Sequence, residues 1–290
     1  MAHLIQRVTI LGTGLIGGSF ALALRKYTPD IHIVGWDRPD VIVEAKRRGA
    51  LNEGLFTSVE LAIRRADLIY IALPIGAALD LLPEIAEHAP SHALVTDACS
   101  TKVRIEQAAV ELFSDEDGPL FLGGHPMAGR EFAGFAHANE DLFHNATYAL
   151  IGYADESRDP RVAAFVKILE KIGARPLWLG SQRHDQAVGL ASHLPQLAAI
   201  ALASLLYDRL DEKGLPITMA GPGLRDTLRL AGSPYAMWRD IVLTNKDVLS
   251  AALDLLARRI DDLRERLGSR ELEADFDAAN ELYKLLRSMH

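Results

Sequence analysis

The chain has 290 residues, 49% hydrophobic and 24% charged, a globular composition long enough for two domains with ample core. Its net charge of -8 argues against nucleic acid as a main partner, since phosphate binding needs a basic surface. A lone cysteine, Cys99, excludes an intrachain disulfide and a cysteine-rich metal site, so no metal is expected and the expected compartment is a reducing cytoplasm.

Met1 to Arg7 leads straight into an apolar run at 8–11, and no signal peptide is read there. Strand-like runs follow at 32–36, 68–72, 93–96, 120–123 and 148–151, with helical patterns between them at 19–26, 41–48 and 77–88. This alternation predicts a parallel sheet with helices on both faces. A helix over 160–172 ends at Gly173, a good C′ residue, and 175–179 reads as one more strand. Beyond Gly180 only helical patterns remain, so the boundary is placed there: 1–180 and 181–290.

Residues 187–207 carry no charge and are long enough to span a bilayer, but His193, Pro195 and Gln196 sit near the middle. The expectation is a helix buried in protein, kinked at Pro195, and no membrane partner. Leu249, Leu253, Leu256, Ile260, Leu263 and Leu267 recur at alternating spacings of four and three, a coiled-coil-like seam. Gly268-Ser269 breaks it before a last helix carrying Leu272, Phe276, Ala279, Leu282 and Leu286. Such a half suggests a homodimer through the helical domain, the alternative being a seam facing the chain's own helices.

Gly12-Thr13-Gly14-Leu15-Ile16-Gly17 follows a strand and opens a helix. The first glycine permits a tight turn, the second lets a pyrophosphate approach the backbone, and the third lets helix pack on strand. The helix N-terminus offers free N–H groups to the phosphates. Asp37 ends the next strand at the usual offset of about 20 residues. The first half therefore reads as an α/β Rossmann-type dinucleotide-binding domain, followed by an all-α C-terminal dimerisation domain. Asp37 suits ribose hydroxyls and repels a 2′-phosphate, which favours NAD over NADP, although Arg38 beside it is of the kind that accommodates that phosphate.

Hydride transfer needs an acid or base near the reacting carbon and groups to hold the substrate. Two candidate segments follow strands of the first domain: Asp97-Ala98-Cys99-Ser100-Thr101-Lys102 and Gly123-Gly124-His125-Pro126-Met127-Ala128-Gly129. His125, between glycine and proline at a strand's end, is placed on a loop.

With HDQAVGLASHLP and GLRDTLRLAGSPYAMWRDI further on, these segments run in order from Gly12 to Ile241, and the chain resembles the prephenate/arogenate dehydrogenase family of tyrosine biosynthesis. The resemblance implies NAD-dependent oxidation of a cyclohexadienol at ring C4 with loss of CO2 from C1, prephenate giving 4-hydroxyphenylpyruvate. The alternatives are arogenate as substrate, a β-hydroxyacid-type dehydrogenase, or a non-catalytic NAD-binding sensor. It further implies that His125 takes the C4 hydroxyl proton and that Ser100 orients this histidine or the hydroxyl. Arg229 would bind a substrate carboxylate, with an ion pair to Asp226 as the alternative. His193 would line the pocket, Trp238 would form a wall or simply belong to the core, and Glu131 would gate access. Two positions depart from the family pattern. Cys99 stands where glycine is frequent and offers a chance reactive thiol. Gln196 replaces a second histidine and removes a charge that would favour an anionic side chain. No added regulatory domain is read, so tyrosine inhibition is expected to act at or near the active site.

Overall fold

A computed structural model, describing residues 5–129, 134–152, 158–210 and 214–288, turns the expected alternation into strands joined by crossover helices. The first half runs β1 (Arg7–Leu11), α1 (Leu15–Tyr27), β2 (His32–Trp36), α2 (Pro39–Arg47), β3 (Glu53–Leu55), α3 (Val59–Ile63) and β4 (Leu68–Ile71). It continues with α4 (Ile75–His88), β5 (Leu94–Asp97), α5 (Val103–Leu112), β6 (Leu120–Pro126), β7 (Thr147–Ile151), α6 (Pro160–Lys171) and β8 (Arg175–Leu179). The sheet order is β3-β2-β1-β4-β5-β6-β7-β8. The order reverses between β1 and β4, which opens a crevice at the carboxyl ends of these strands, where ligands of such sheets bind.

Both faces of the sheet are covered, so its central strands are apolar along their length rather than alternating. On one face Phe20 stacks on Tyr70 with ring centroids 4.1 Å apart, beside Leu24 and Phe165. On the other Ile63, Leu82 and Ile85 pack over Ile69 and Val95. Each such side chain contributes about 1.5–3 kcal/mol by leaving water.

The helices continue as α7 (Ser181–Val188), a π-helical turn (Gly189–His193), α8 (Leu194–Tyr207), α9 (Leu215–Thr218), α10 (Pro222–Leu228), a 3-10 turn (Arg229–Gly232) and α11 (Tyr235–Thr244). α7 packs on α5 and β7, and α11 on α4, which joins them to the sheet in one compact unit, Met1–Lys246. The second unit, Asp247–His290, is built from α12 (Lys246–Glu265) and α13 (Leu272–Ser288). Gly268, at a φ of 87°, sits between them, and Arg266 pairs with Asp275 across the turn at 2.6 Å. Along the predicted seam Leu249 is buried, whereas Leu253, Ile260 and Leu267 are exposed, as are Phe276, Leu282 and Leu286 of the last helix.

Several expectations are corrected. The sheet is not wholly parallel: β7 runs antiparallel to β6, and β8 is parallel to β7. The short edge strand β3 carries too few residues to show a period. The apolar stretch is not buried within the chain, since only 28% of its most hydrophobic window is covered. By length and composition the helix Ser181–Tyr207 could cross a membrane. Pro195 follows directly on a π-helical turn, Gly189–His193, within the helix Ser181–Tyr207, so the irregularity expected at the proline takes the form of a widened turn before it.

Candidate active site

The glycine loop has the form of a pyrophosphate cradle. Gly12 turns the chain with a φ of 91°. Gly14, the N-cap of α1, has no side-chain cap, and a Cβ added there would meet nothing within 4 Å. The helix N-terminus behind Leu15, Ile16 and Gly17 is thus open to an anion. Asp37 accepts from Thr13 N at 2.7 Å and from Thr13 Oγ1 at 3.2 Å, which locks the end of β2 to the loop. Its other oxygen accepts from Arg38 N at 2.7 Å. The carboxylate is only half-buried and retains lone pairs for hydroxyl groups. The Arg38 guanidinium lies at the surface, 3.9 Å from Asp40. These residues fit a dinucleotide.

The chemistry-bearing side chains gather a few strands away. The ends of β5 and β6 are tied by Asp97, which accepts from Gly124 N at 3.1 Å and Cys99 N at 2.9 Å and forms a buried ion pair with Lys102. The Lys102 ammonium also donates to Gly124 O at 2.7 Å. Removing one partner of such a pair typically costs about 3–5 kcal/mol, so the backbone around Ser100 and His125 is held rigidly.

His125 is not on a loop. β6 pairs with β5 only through Leu122, and the strand continues past it because β7 comes alongside, with His125 opposite Ala149. The non-local partner made this extension invisible locally. His125 Nδ1 lies 2.9 Å from His184 Nε2, and His184 Nδ1 lies 2.8 Å from Asp185 Oδ1. The Asp185 carboxylate also accepts Lys102 N at 2.8 Å and Val103 N at 3.0 Å, at the start of α5.

An ionised carboxylate only accepts hydrogen bonds, so His184 Nδ1 is the donor to Asp185. With a single proton on His184, its Nε2 accepts from His125 Nδ1–H, which leaves His125 Nε2 as a proton acceptor. Burial above all holds the His125 imidazole well below the usual histidine pKa, and the Lys102 ammonium pushes the same way. The ring is therefore a neutral base.

A cavity of about 390 Å³ is lined by Ser100, His125, His193, Gln196, Arg229 and Trp238, among others. That volume lies in the range of small-ligand sites. The structure thus brings these six predicted residues together. Arg229 opens the 3-10 turn and is exposed. Gln196 is buried and donates from Nε2 to Leu230 O at 2.8 Å. His193 meets the Trp238 ring edge-on at 5.7 Å, and burial lowers its pKa to about 4, against the opposing pull of Asp185. Trp238 Nε1 is buried without a partner. Glu131 lies outside the described residues. Cys99 is not a reactive thiol: it is buried, and burial together with Asp97 raises its pKa well above the ordinary value. A larger cleft of about 990 Å³ beside α5 and β8 holds no histidine, and its Glu106 is bound to Ser181.

The sequence reading gave no role to Lys102, His184 and Asp185, although they lie in segments it singled out, nor to Asp240, and it passed over Asn245 altogether. The adjacent His184-Asp185 was the available signal. Asp240 caps the first turn of α4 through Gly76 N at 2.9 Å.

A family model described as prephenate dehydrogenase, nucleotide-binding domain, matches residues 20–177, and one described as prephenate dehydrogenase, dimerization domain, matches 180–287. Prephenate dehydrogenase of Lactococcus lactis subsp. cremoris is 33% identical over 273 residues, covering 93% of this chain and 73% of the relative. The crystal structure of A. aeolicus prephenate dehydrogenase in complex with hydroxyphenyl propionate and NAD+ superposes with a TM-score of 0.87, at 27% identity, over 99% of each chain. Synechocystis arogenate dehydrogenase superposes with a TM-score of 0.76 at 28% identity, over 97% of this chain and 96% of that one.

Proposed function

This chain belongs to the prephenate dehydrogenase family, and on that premise we propose that it oxidises and decarboxylates prephenate to 4-hydroxyphenylpyruvate, with His125 as the proton acceptor. The enzyme is an NAD-dependent dehydrogenase, and bound NAD+ supplies the hydride acceptor. Gly12, Gly14, Leu15, Ile16 and Gly17 hold the pyrophosphate, and Asp37 holds the adenosine ribose with Arg38 at its edge. His125 Nε2 takes the proton from the C4 hydroxyl, and Ser100 orients that hydroxyl. Oxidation at C4 turns the C1 carboxylate into a vinylogous β-keto acid. Carbon dioxide then leaves into a conjugated sink and the ring becomes aromatic, so the protein's work is positioning and proton removal.

Arg229 matches a carboxylate with its planar fork, and His193, Gln196 and Trp238 complete the wall. The chain's work divides at Gly180, with the cofactor held before it and most of the substrate cavity after it. The exposed apolar helices after Gly180 are covered by a second copy of the chain, in a protein acting in the cytoplasm.

The observation that carries this reading is the His125–His184–Asp185 chain, whose outer ring lines the cavity. The test is NADH formation by the purified protein with NAD+ and prephenate, and separately with arogenate. Turnover is expected, with prephenate the better substrate. No turnover with either overturns the activity, and faster turnover with arogenate overturns the substrate assignment. His125→Asn should lower kcat by about 10²–10⁴-fold.

A further inference from the structure

Asn245 lies at the end of α11, buried, outside every segment that sequence reading singled out for chemistry. Its Nδ2 donates to the Asp185 backbone carbonyl at 3.0 Å, and that acceptor fixes which end of the amide is which. The same Nδ2 lies 3.3 Å from His193 Nδ1. An amide nitrogen has no lone pair to offer, so His193 Nδ1 must be the acceptor. The proton of the neutral ring then resides on Nε2.

We propose that Asn245 is a positioning residue that fixes His193 as an Nε2–H hydrogen-bond donor, opposite in polarity to the Nε2 acceptor of His125 in the same cavity. The two histidines then divide the work. His125 receives a proton, while His193 offers one hydrogen bond to a substrate oxygen without giving its proton up. Asn245 is joined to both, since the residue whose carbonyl it grips also supplies the carboxylate that orients His184 and, through it, His125. One buried amide thereby keeps the two rings from exchanging roles. The groups that bear on the charge of His193 are Asp185 and His184 on α7 and His125 on β6. Asp185 is the one acid among them, and the burial of His193 outweighs it, so the ring stays neutral and its hydrogen-bonding direction rests on Asn245.

The donor role toward substrate rests on the prephenate dehydrogenase reading, whereas the tautomer does not, and the experiment separates the two. The full chain, labelled with 15N at histidine, is examined without substrate by two-bond 15N–1H correlation, with His193→Gln serving to assign the His193 signals. The expected result is the Nε2–H tautomer in the wild type. Asn245→Asp, whose carboxylate demands a donor from Nδ1, should convert His193 to the Nδ1–H tautomer or to the doubly protonated ring. Asn245→Ala should leave a mixture of tautomers. An Nδ1–H wild type, or a pattern unchanged in both variants, overturns the proposal whatever the activity.

In kinetics, His193→Gln retains an amide donor near the position of Nε2 and should keep at least about ten times the kcat/KM of His193→Ala. Equal losses in the two, with the tautomer result standing, would reject the donor role alone. Thermal melts of each variant report folding. If Asn245→Asp does not fold, the wild-type spectrum and Asn245→Ala still decide the matter.

Discussion

His125 and His184 meet through ring nitrogens 2.9 Å apart, with their planes inclined by 67°, although 59 positions separate them in the chain. The contact bears on the direction of the hydrogen bond at His125, the proposed base. Asp185 anchors one end on the first turn of α5, and the polarity passes through His184 to the cavity.

Asp185→Asn is the sharpest probe of that polarity. The amide would place an N–H against either the α5 backbone or His184, and a donor at His184 would reverse both rings and put a proton on His125 Nε2. We expect kcat to fall about 10²-fold or more, with the KM for prephenate little changed. Steady-state kinetics on a variant with a native far-UV spectrum checks this, and a kcat near wild type would show that the relay does not set the base.

The pH profile follows from the same burial. A base must be neutral to accept, and His125 is held well below the ordinary value of 6.5. The acid limb of log(kcat/KM) should therefore lie below pH 6.5, leaving activity flat through neutrality. A limb at or above 6.5 would contradict this. Stability should move in the same window. His193 titrates at about 4 when folded and near 6.5 when unfolded. Between those values the unfolded chain binds more protons, so stability falls as pH drops from 6.5 towards 4. The loss is on the order of 3 kcal/mol, measurable as a declining Tm.

Arg229→Ala should act mainly on KM, raising it at least about tenfold, because a carboxylate held alike in ground and transition states contributes uniform binding. Arg229→Lys should recover little, since an ammonium cannot reproduce the bidentate fork. Unchanged kinetics in Arg229→Ala would remove the residue from the site.

Cofactor choice should turn on Asp37. The wild type is expected to prefer NAD+, and Asp37→Ser, which removes the negative charge and leaves Arg38 in place, should shift the ratio of kcat/KM values toward NADP+ by tenfold or more. The variant also loses an acceptor for Thr13, so some loss with both cofactors is expected. Equal use of both cofactors by the wild type would refute the assignment.

The exposed leucines of the helical region predict a dimer in solution. Leu205 is 55% exposed, Leu282 59% and Leu286 53%, more apolar surface than a monomer commonly leaves in water. Sedimentation should give twice the chain mass of 31.7 kDa. Leu282→Glu combined with Leu286→Glu should shift the protein toward monomer. A wild-type monomer at all concentrations would refute this.

The strand–helix alternation, the glycine turn with Asp37, and the helical second half were all legible in the sequence, because each rests on local regularities. A period of two or 3.6, a positive φ at Gly12 and a carboxylate at a strand's end are written in neighbouring residues. The family motifs added Ser100, His125, His193 and Arg229 as names without geometry. Tertiary structure alone decided what surrounds them. The antiparallel partner β7 keeps His125 inside a strand, and the exposure of the apolar helix depends on what the chain does not place against it. Asp185 sits on the turn of α5, and Asn245 reaches back to Asp185 and His193. An imidazole has two nitrogens of equal standing, and only neighbours in space, supplied by distant segments, determine which one carries the proton. The sequence therefore offered His125 as a candidate for catalysis, and the packing of α7 on α5 decided which neighbour its Nδ1 meets.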